Sequence, residues 1–103
     1  MRFEIVLAPE AVRDLRRIEA HDRAMIRDAL ETHLQHEPRK VSKSRIKRLR
    51  GISRPQFRLR VGDIRVFYDV SGRRVEVLAV VSKRDAVQWL DEIGERDEKG
   101  SPL

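Results

Sequence analysis

The chain has 103 residues, no cysteine and a formal net charge of +6. A chain of this length forms one domain with a modest core, and the absence of cysteine excludes disulfides and thiolate metal sites. No apolar run approaches the roughly 20 residues that a membrane helix needs, and the N-terminus lacks the profile of a signal peptide. We therefore expect a single-domain cytoplasmic protein that makes no contact with a membrane.

The positive charge is concentrated in the middle of the chain. Residues 39–74 contain 13 Lys or Arg against 2 Asp, whereas residues 1–38 sum to −2 and residues 75–103 sum to −3. A local patch of this kind attracts phosphate backbones or an acidic protein partner.

The first third of the chain predicts a strand followed by two helices. Residues 3–7 predict the strand, and Pro9 suits the first turn of a helix that runs to about Glu19. Asp22 is a candidate cap for a second helix, which ends before Pro38. Apolar residues at helical spacing form its core-facing stripe: Met25, Ile26, Ala29, Leu30 and Leu34.

Residues 56–70, QFRLRVGDIRVFYDV, predict a β-hairpin whose faces can be assigned residue by residue. Gly62 and Asp63 form a two-residue loop, and a glycine in its first position fits a type II′ turn. The resulting register places Arg60 opposite Arg65. Apolar side chains then share one face of the hairpin: Phe57, Leu59, Val61, Ile64, Val66 and Tyr68.

The other face of this hairpin carries Arg58, Arg60 and Arg65. Like charges that face each other across a ladder cost stability, so Arg60 beside Arg65 implies a compensating partner such as an anion. Arg65 lies centrally on this face, and we expect it to contribute little to the core. The alternative is a charged sheet face that is merely solvated.

Ser71 and Gly72 predict a second two-residue turn, which leads into a third strand. The continued register predicts three pairs on the apolar face: Tyr68 with Val75, Val66 with Val77, and Ile64 with Ala79. On the other face it predicts these neighbours: Asp69 with Arg74, Phe67 with Glu76, and Arg65 with Leu78. That face becomes a mixed groove with an arginine cluster at one end.

The chain ends in a third helix and a polar tail. Ser82, with Asp85 three residues later, resembles a capping box, and Gly94 is a stop signal. Apolar residues in between follow a helical spacing: Ala86, Trp89, Leu90 and Ile93. We expect one domain over residues 1–94 and a frayed tail over residues 95–103.

The predicted order is β-α-α-β-β-β-α, an α+β fold in which an antiparallel sheet carries a helix pair on its apolar face. With this order and this hairpin, the chain resembles the RelE/ParE superfamily of type II toxin–antitoxin toxins. The resemblance covers roughly residues 2–94. It is densest in three segments: KRLRG (residues 47–51), FRLRVGDIRVFYDV (residues 57–70) and VEVLAVVSKRD (residues 75–85).

In that superfamily the RelE branch cleaves mRNA on the ribosome, the ParE branch poisons DNA gyrase, and an antitoxin chain wraps and neutralises either toxin. The resemblance implies catalytic roles for Arg58, Arg65 and Arg84, without a metal or a cofactor. Further RNA contacts are expected from basic residues in the matching segments and on the arginine face: Lys47, Arg48, Arg50, Arg60 and Lys83.

The chain departs from the RelE pattern in its candidate general base. Many RelE-like nucleases have a tyrosine or histidine near the last arginine, where this chain has Ser82, Gln88, Trp89 and Leu90. Arginine stays protonated at physiological pH and is therefore a poor proton acceptor. Asp63 and Asp69 are alternative bases, although a turn former and a salt-bridge partner are the simpler interpretations. Trp89 either stacks on a nucleobase or anchors its helix to the sheet.

Two other groups of side chains have simpler interpretations. His33 and His36 lie near Glu37, but they lack a complete metal ligand set. Tyr68 points into the apolar face and is expected to be a core residue.

We expect a RelE-like, ribosome-dependent mRNA endoribonuclease. Two alternatives stay open: a ParE-like gyrase inhibitor without chemistry of its own, and an inert member that binds only RNA or its antitoxin. The antitoxin is expected to cover an exposed arginine groove flanked by Phe67, Leu78 and Val80.

Overall fold

The computed structural model describes residues 1–96, so most of the expected polar tail, residues 97–103, lies outside the described residues. Strand β1 (Glu4–Leu7) leads into two helices, α1 (Pro9–Arg16) and α2 (Ala20–Leu34). The remaining elements are β2 (Ile46–Arg48), β3 (Ile52–Arg54), β4 (Phe57–Val61), β5 (Ile64–Ser71), β6 (Arg74–Ser82), α3 (Lys83–Ile93) and β7 (Glu95–Arg96). The fold is α+β, as predicted.

The main sheet has five strands in the order β1-β6-β5-β4-β2. Strand β1 pairs with β6 in parallel, and all other neighbours in this sheet are antiparallel. Strands β3 and β7 form a separate two-stranded sheet. The predicted basic loop thus contains two short strands, and the tail that was expected to be frayed begins with a strand. None of the helices within residues 1–96 is long and apolar enough to cross a membrane.

Three details of the helix pair differ from the prediction. Helix α1 ends at Arg16, three residues before the predicted end at about Glu19. Helix α2 begins at Ala20 with Glu19 as its N-cap residue, so Asp22 lies in the first turn instead of capping the helix. Met25 is 43% exposed and does not belong to the core, whereas Ile26, Leu30 and Leu34 are buried. The helix therefore turns a narrower apolar stripe toward the sheet than the spacing predicted.

The first hairpin has the predicted register, with Arg60 opposite Arg65 and Leu59 opposite Val66. Gly62 has a φ of 57°, and no non-glycine residue within residues 1–96 has a positive φ. Glycine adopts this left-handed conformation without a steric penalty, which is why Gly62 takes the first position of the loop.

The second hairpin differs from its predicted register. Its loop consists of Gly72 and Arg73, because Gly72, with a φ of 59°, takes the first loop position just as Gly62 does. Next to the loop, Tyr68 therefore faces Val77 instead of Val75. An irregularity between Phe67 and Tyr68 shifts the pairing by one further residue.

Beyond this irregularity the two faces of β6 are exchanged relative to the prediction, because an odd shift turns every side chain to the opposite face. Val66 faces Val80, which joins the main core, and Phe67 faces Ala79 on the other side of the sheet. On the face that carries the arginines, the observed pairs also differ from the predicted ones. They are Asp69 with Glu76, Phe67 with Ala79, and Arg65 with Val81.

Helices cover both faces of the sheet. Helices α1 and α2 enclose the main core, in which the largest buried side chains are Tyr68, Ile26, Leu34 and Leu59. Helix α3 packs on the opposite face over Phe67 and Ala79. The rings of Phe67 and Trp89 stack with centroids 4.8 Å apart and planes inclined by 8°. Trp89 is therefore an anchor between helix and sheet, and α3 covers the middle of the face that was expected to be open.

Candidate nucleic-acid interface

Basic residues from three adjacent strands meet on the sheet face that carries α3. The register places Lys47 of β2 opposite Arg58 of β4, and Arg60 of β4 opposite Arg65 of β5. Opposed residues share a face, as do residues two apart along a strand. Lys47, Arg58, Arg60 and Arg65 therefore lie together, and we call these four residues the basic end of the sheet.

The basic end is poor in acidic partners within residues 1–96, where Asp63 is the carboxylate whose charge acts on Arg65. None of its four residues forms a salt bridge within the described part of the chain. The Nε atom of the half-buried Arg58 is buried and has no hydrogen-bond partner. A buried polar group left unpaired costs about 1–3 kcal/mol, and more when it is charged. Arg60 is exposed, so an anion from solvent can reach the basic end.

Arg65 has a structural role as well as a charge. It is only 7% exposed, and its Nη1 donates hydrogen bonds to the carbonyl oxygens of Gly62 (2.9 Å) and Ile64 (3.1 Å). Burial lowers the pKa of Arg65, as do Arg58 and Arg60, whereas the carboxylate of Asp63 raises it. The expectation that Arg65 contributes little to the fold is wrong, because its guanidinium fixes the loop of the first hairpin.

The beginning of α3 lies beside this loop. The backbone N–H of Lys83 donates to the carbonyl oxygen of Asp63 at 2.7 Å. The hydroxyl of Ser82 accepts from the N–H of Asp85 at 3.2 Å, which confirms the predicted cap. Lys83 and Arg84 are exposed in the first turn of α3, so the helix begins where the basic end meets the loop.

Two of the predicted RNA contacts lie elsewhere. Arg48 pairs with Phe57 in the ladder, and its Cζ lies 5.2 Å from the centroid of the Phe57 ring. Because Phe57 belongs to the main core face, Arg48 is on the side of the sheet opposite to Arg58. Arg50 is exposed between β2 and β3, outside the ladder that builds the basic end.

Arg45 adjoins the basic end, although the sequence did not single it out. Its carbonyl oxygen accepts a hydrogen bond from the N–H of Arg60 at 2.8 Å. The sequence does contain a signal for this position, because Arg45 and Lys47 are two residues apart and so share a face where the chain is extended. The signal can be used only when strand β2, which begins at Ile46, is recognised inside the basic loop.

The two candidate general bases, Asp63 and Asp69, lie at different distances from the basic end. The carboxylate of Asp63 is near enough to Arg65 to affect its pKa. Asp69 is four residues from Arg65 along β5, or about 13 Å at the usual rise of a strand. The stack of Phe67 on Trp89 lies between them. Asp69 is therefore not placed to accept a proton from a group bound at the basic end.

Tyr68 is a core residue, as predicted. Its side chain is fully buried, and its hydroxyl donates to the carbonyl oxygen of Pro38 at 2.7 Å. Burial raises the pKa of this phenol. Tyr68 therefore fixes the chain after α2 to the sheet and does not face the basic end.

The far end of the same sheet face contains a charge cluster of a different kind, which we call the carboxylate end. Arg54 contacts three carboxylates: Asp69 at 2.9 Å, Glu76 at 3.2 Å and Glu95 at 3.7 Å. The predicted pair between Asp69 and Arg74 is absent, because Arg74 pairs with Glu4 at 3.3 Å. Arg54 thus ties the small β3–β7 sheet to strands β5 and β6.

Burial is the main influence on Asp69 and raises the pKa of its carboxyl group. Glu76 and Glu95 act in the same direction, whereas Arg54 and the hydrogen bond from the N–H of Gln56 (2.7 Å) lower it.

The groove expected for an antitoxin is not flanked by apolar side chains as predicted. Phe67, Leu78 and Val80 are 0%, 7% and 4% exposed. Helix α3 covers Phe67, and the shift in register turns Val80 into the main core. At the basic end the side chains that the sheet exposes to solvent are instead charged.

Comparison with known proteins gives a consistent picture. A family model described as ParE toxin of type II toxin-antitoxin system, parDE, matches residues 5–87. No curated protein matches the chain. Among solved structures, the RelBE2 toxin–antitoxin complex from Mycobacterium tuberculosis is 24% identical with a TM-score of 0.66, covering 80% of this chain and 99% of that one.

Two further structures share the fold. A mutant of Escherichia coli toxin RelE in the free state is 19% identical with a TM-score of 0.67, covering 90% of this chain and 99% of that one. The RelB–RelE antitoxin–toxin complex from Methanococcus jannaschii is 21% identical with a TM-score of 0.63, covering 82% and 96%. Because the family model spans most of the chain, the protein belongs to the ParE toxin family, within the RelE/ParE superfamily, and is a toxin of a type II toxin–antitoxin system.

Proposed function

We propose that the basic end of the sheet binds RNA and that this toxin cleaves mRNA on the ribosome, in the cytoplasm, without a metal ion. The observation that carries the proposal is that Arg58 and its basic neighbours form no salt bridge within residues 1–96. Elsewhere on the same face Arg54 contacts three carboxylates, whereas Arg58 keeps a buried Nε without any acceptor. Such guanidinium groups bind phosphate well, because its oxygens match their hydrogen-bond geometry, as those of a carboxylate do.

The reaction begins with attack of a ribose 2′-hydroxyl on the adjacent phosphorus. A new P–O bond forms, the bond to the 5′-oxygen breaks, and the products are a 2′,3′-cyclic phosphate and a 5′-hydroxyl. Arg58 and Arg60 stabilise the added negative charge on the phosphate oxygens, and Arg84 approaches from the start of α3. Arg65 holds the hairpin loop in place through its bonds to Gly62 and Ile64.

Proton transfer is the part of this mechanism that the arginines do not supply. The attacking hydroxyl must lose a proton, and the 5′-oxygen must gain one. Asp63, whose charge reaches Arg65, is the candidate acceptor within this chain. Electrostatic stabilisation and alignment by the basic end supply the remaining acceleration.

We further propose that the cognate antitoxin neutralises the toxin by placing acidic side chains on the basic end. Complexes of RelB with RelE are among the structures that share the fold. The exposed Arg60 and the first turn of α3 offer an acidic segment unpaired positive charge, so its association rate should depend strongly on salt.

Inhibition of DNA gyrase is the second candidate function. It is favoured by the match to a ParE model and by the sequence near Arg84, which has Ser82, Gln88, Trp89 and Leu90 where many RelE-like nucleases have a tyrosine or histidine. A ParE-like toxin needs a binding surface and no general base. In this alternative the basic end contacts gyrase or its DNA and catalyses nothing.

The test compares two double variants with the same change in charge. Arg58→Gln with Arg60→Gln removes two charges from the basic end, whereas Arg48→Gln with Arg73→Gln removes two charges from other surfaces. Each toxin is expressed, mRNA ends are mapped by primer extension, and gyrase supercoiling is assayed in parallel. We expect wild type and control to produce new mRNA ends, and the Arg58/Arg60 variant to lose at least roughly a hundredfold in cleavage.

Intact messages together with inhibited supercoiling would overturn the ribonuclease proposal in favour of gyrase inhibition. If wild type produces neither effect while RNA or antitoxin still binds, the protein is an inert member of the family. Equal loss of cleavage in both double variants would show that total charge matters and the basic end does not.

A further inference from the structure

The segment between α2 and β2, residues 35–45, is held in a defined shape by hydrogen bonds. The Tyr68 hydroxyl holds the carbonyl of Pro38, and the N–H of Arg60 holds the carbonyl of Arg45. The Ser42 hydroxyl accepts from the backbone N–H groups of Arg45 (3.0 Å) and Ile46 (3.1 Å). Arg45 is therefore placed by the surrounding backbone, next to the basic end.

Arg45 lines two neighbouring clefts. One has a volume of about 320 Å³ and is also lined by Ser44, Arg60 and Gly62, so it opens beside the basic end. The other has a volume of about 280 Å³ and lies at the C-terminal end of α2. We call the second one the corner cleft; its remaining lining residues are Thr32, His33, Glu37, Lys40, Ser42 and Ile46.

The corner cleft carries unneutralised positive charge. Its charged and titratable groups are His33 from α2 and Glu37, Lys40 and Arg45 from the following segment. Glu37 pairs with Lys40 at 3.4 Å, while Arg45 forms no salt bridge within residues 1–96. Burial, and then the charge of Arg45, lower the pKa of the half-buried His33. The free cleft therefore presents the guanidinium of Arg45, whose backbone is held in place, beside an imidazole that is neutral at neutral pH.

We propose that the corner cleft is a second phosphate site, in which Arg45 and His33 hold a backbone phosphate of the same RNA strand whose scissile phosphate lies at the basic end. The identity of the ligand as RNA rests on the proposed function, whereas the phosphate site itself rests on the residues that line the cleft. Because Arg45 lines both clefts, a strand that leaves Arg60 can pass over Arg45 into the corner cleft. Contacts of this kind fix the register of a strand without reading its sequence.

The site couples binding to a proton on His33. A phosphodiester beside His33 stabilises the imidazolium and so raises the pKa of His33 in the complex. The bound form then takes up a proton, so affinity is highest below the pKa of free His33 and falls as the pH rises through the pKa of the bound form. A phosphodiester keeps its single charge throughout this range, unlike inorganic phosphate.

The experiment follows the imidazole NMR signals of His21, His33 and His36 against pH, with and without a saturating oligouridylate. We expect the pKa of His33 to rise on binding, and the signals of the exposed His21 and His36 serve as references. In binding assays, His33→Gln and Arg45→Gln should each weaken RNA binding roughly three- to tenfold, and His33→Gln should flatten its pH dependence. His36→Gln, three residues away, is the matched control.

An unchanged pKa of His33 in RNA-saturated protein would overturn the corner site while leaving RNA binding at the basic end intact. A loss of affinity in His36→Gln equal to that in His33→Gln would overturn it too. If wild type does not bind the oligouridylate, RNA binding by the free toxin is ruled out, and the primer-extension assay decides whether the toxin cleaves mRNA on the ribosome. A titration with dimethyl phosphate then tests whether the corner cleft binds phosphate by itself. A rise in pKa confined to His33 supports a phosphate site there, and an unchanged pKa of His33 overturns it.

Discussion

The two ends of one sheet face use arginine in opposite ways. At the carboxylate end Arg54 contacts three carboxylates at 2.9–3.7 Å, which makes it a crosslink between strands. At the basic end Arg58 and Arg60 have no salt-bridge partner in the described chain, although they lie on the next strand. The abundance of arginine therefore does not locate a binding site in this protein. The local lack of salt bridges within residues 1–96 does.

The stack of Phe67 on Trp89 lies between the two ends. Phe67 is fully buried between Arg65 and Asp69 on the same strand, and Trp89 covers it from α3. This apolar divider covers the sheet between Arg65 and Asp69, which the strand itself holds about 13 Å apart. Helix α3 therefore packs on the sheet between the two charge clusters.

The largest expected effect follows from removing this divider. Phe67→Ala should lower the free energy of unfolding by about 3–5 kcal/mol, because it deletes a buried ring and leaves a cavity under α3. Chemical denaturation measures the loss. Val87→Ala on the same helix is the control, since Val87 is 70% exposed and its truncation should change stability by less than about 0.5 kcal/mol. Equal effects of the two substitutions would mean that α3 does not pack on the sheet.

A smaller effect is expected from breaking the carboxylate end. Arg54→Met leaves Asp69 and Glu76 facing each other as like charges, which should cost about 1 kcal/mol after allowance for the 48% exposure of Arg54. Denaturation at low and high salt measures it, and the cost should shrink as salt screens the repulsion. Arg13→Met, which breaks an exposed pair with Glu10 at 3.8 Å, is the control. A loss no larger than that of the control would contradict the crosslinking role.

Part of this arrangement was predictable because some of its signals are local. Gly62 in the first loop position fixed the first register, and with it the common face of Arg58, Arg60 and Arg65. The second register was predicted wrongly because Gly72 was assigned the second loop position instead of the first. The irregularity beside Phe67 has no local sequence signal, and its effect is to turn Ala79 toward α3 and Val80 into the main core.

The pairing of charges was not predictable from the sequence. Arg54 lies on a strand of three residues, too short to show a periodicity, and its partners come from β5, β6 and β7. The same limit applies to Arg45, which joins the basic end through a single backbone bond to Arg60. Contacts between residues far apart in sequence depend on tertiary structure, whereas alternation along one hairpin does not.

A near-neutral effect is expected at the basic end itself. Arg60→Gln removes one of two like charges that face each other across the ladder, so stability should stay within about 0.5 kcal/mol of wild type or rise slightly. The same denaturation measurement checks it, with Arg54→Met as the contrasting case. A loss greater than about 1 kcal/mol would show that Arg60 has a structural partner and is not held free for a ligand.

The finest test of the separation is the pKa of Asp69, measured by carboxyl ¹³C NMR. Burial raises it above the ordinary value, and Arg54 lowers it, so Arg54→Met should raise it further. Asp69 then has a higher pKa in the folded state than in the unfolded chain, so between these two pKa values the folded state binds more protons. The contribution of Asp69 to the free energy of unfolding therefore falls as the pH rises through that window. Arg60→Gln should leave the pKa of Asp69 unchanged, since Arg60 lies beyond the Phe67–Trp89 stack and exposed charges at that distance are screened. Equal shifts from the two substitutions would show that both ends form one electrostatic unit, and the comparison between them would then fail.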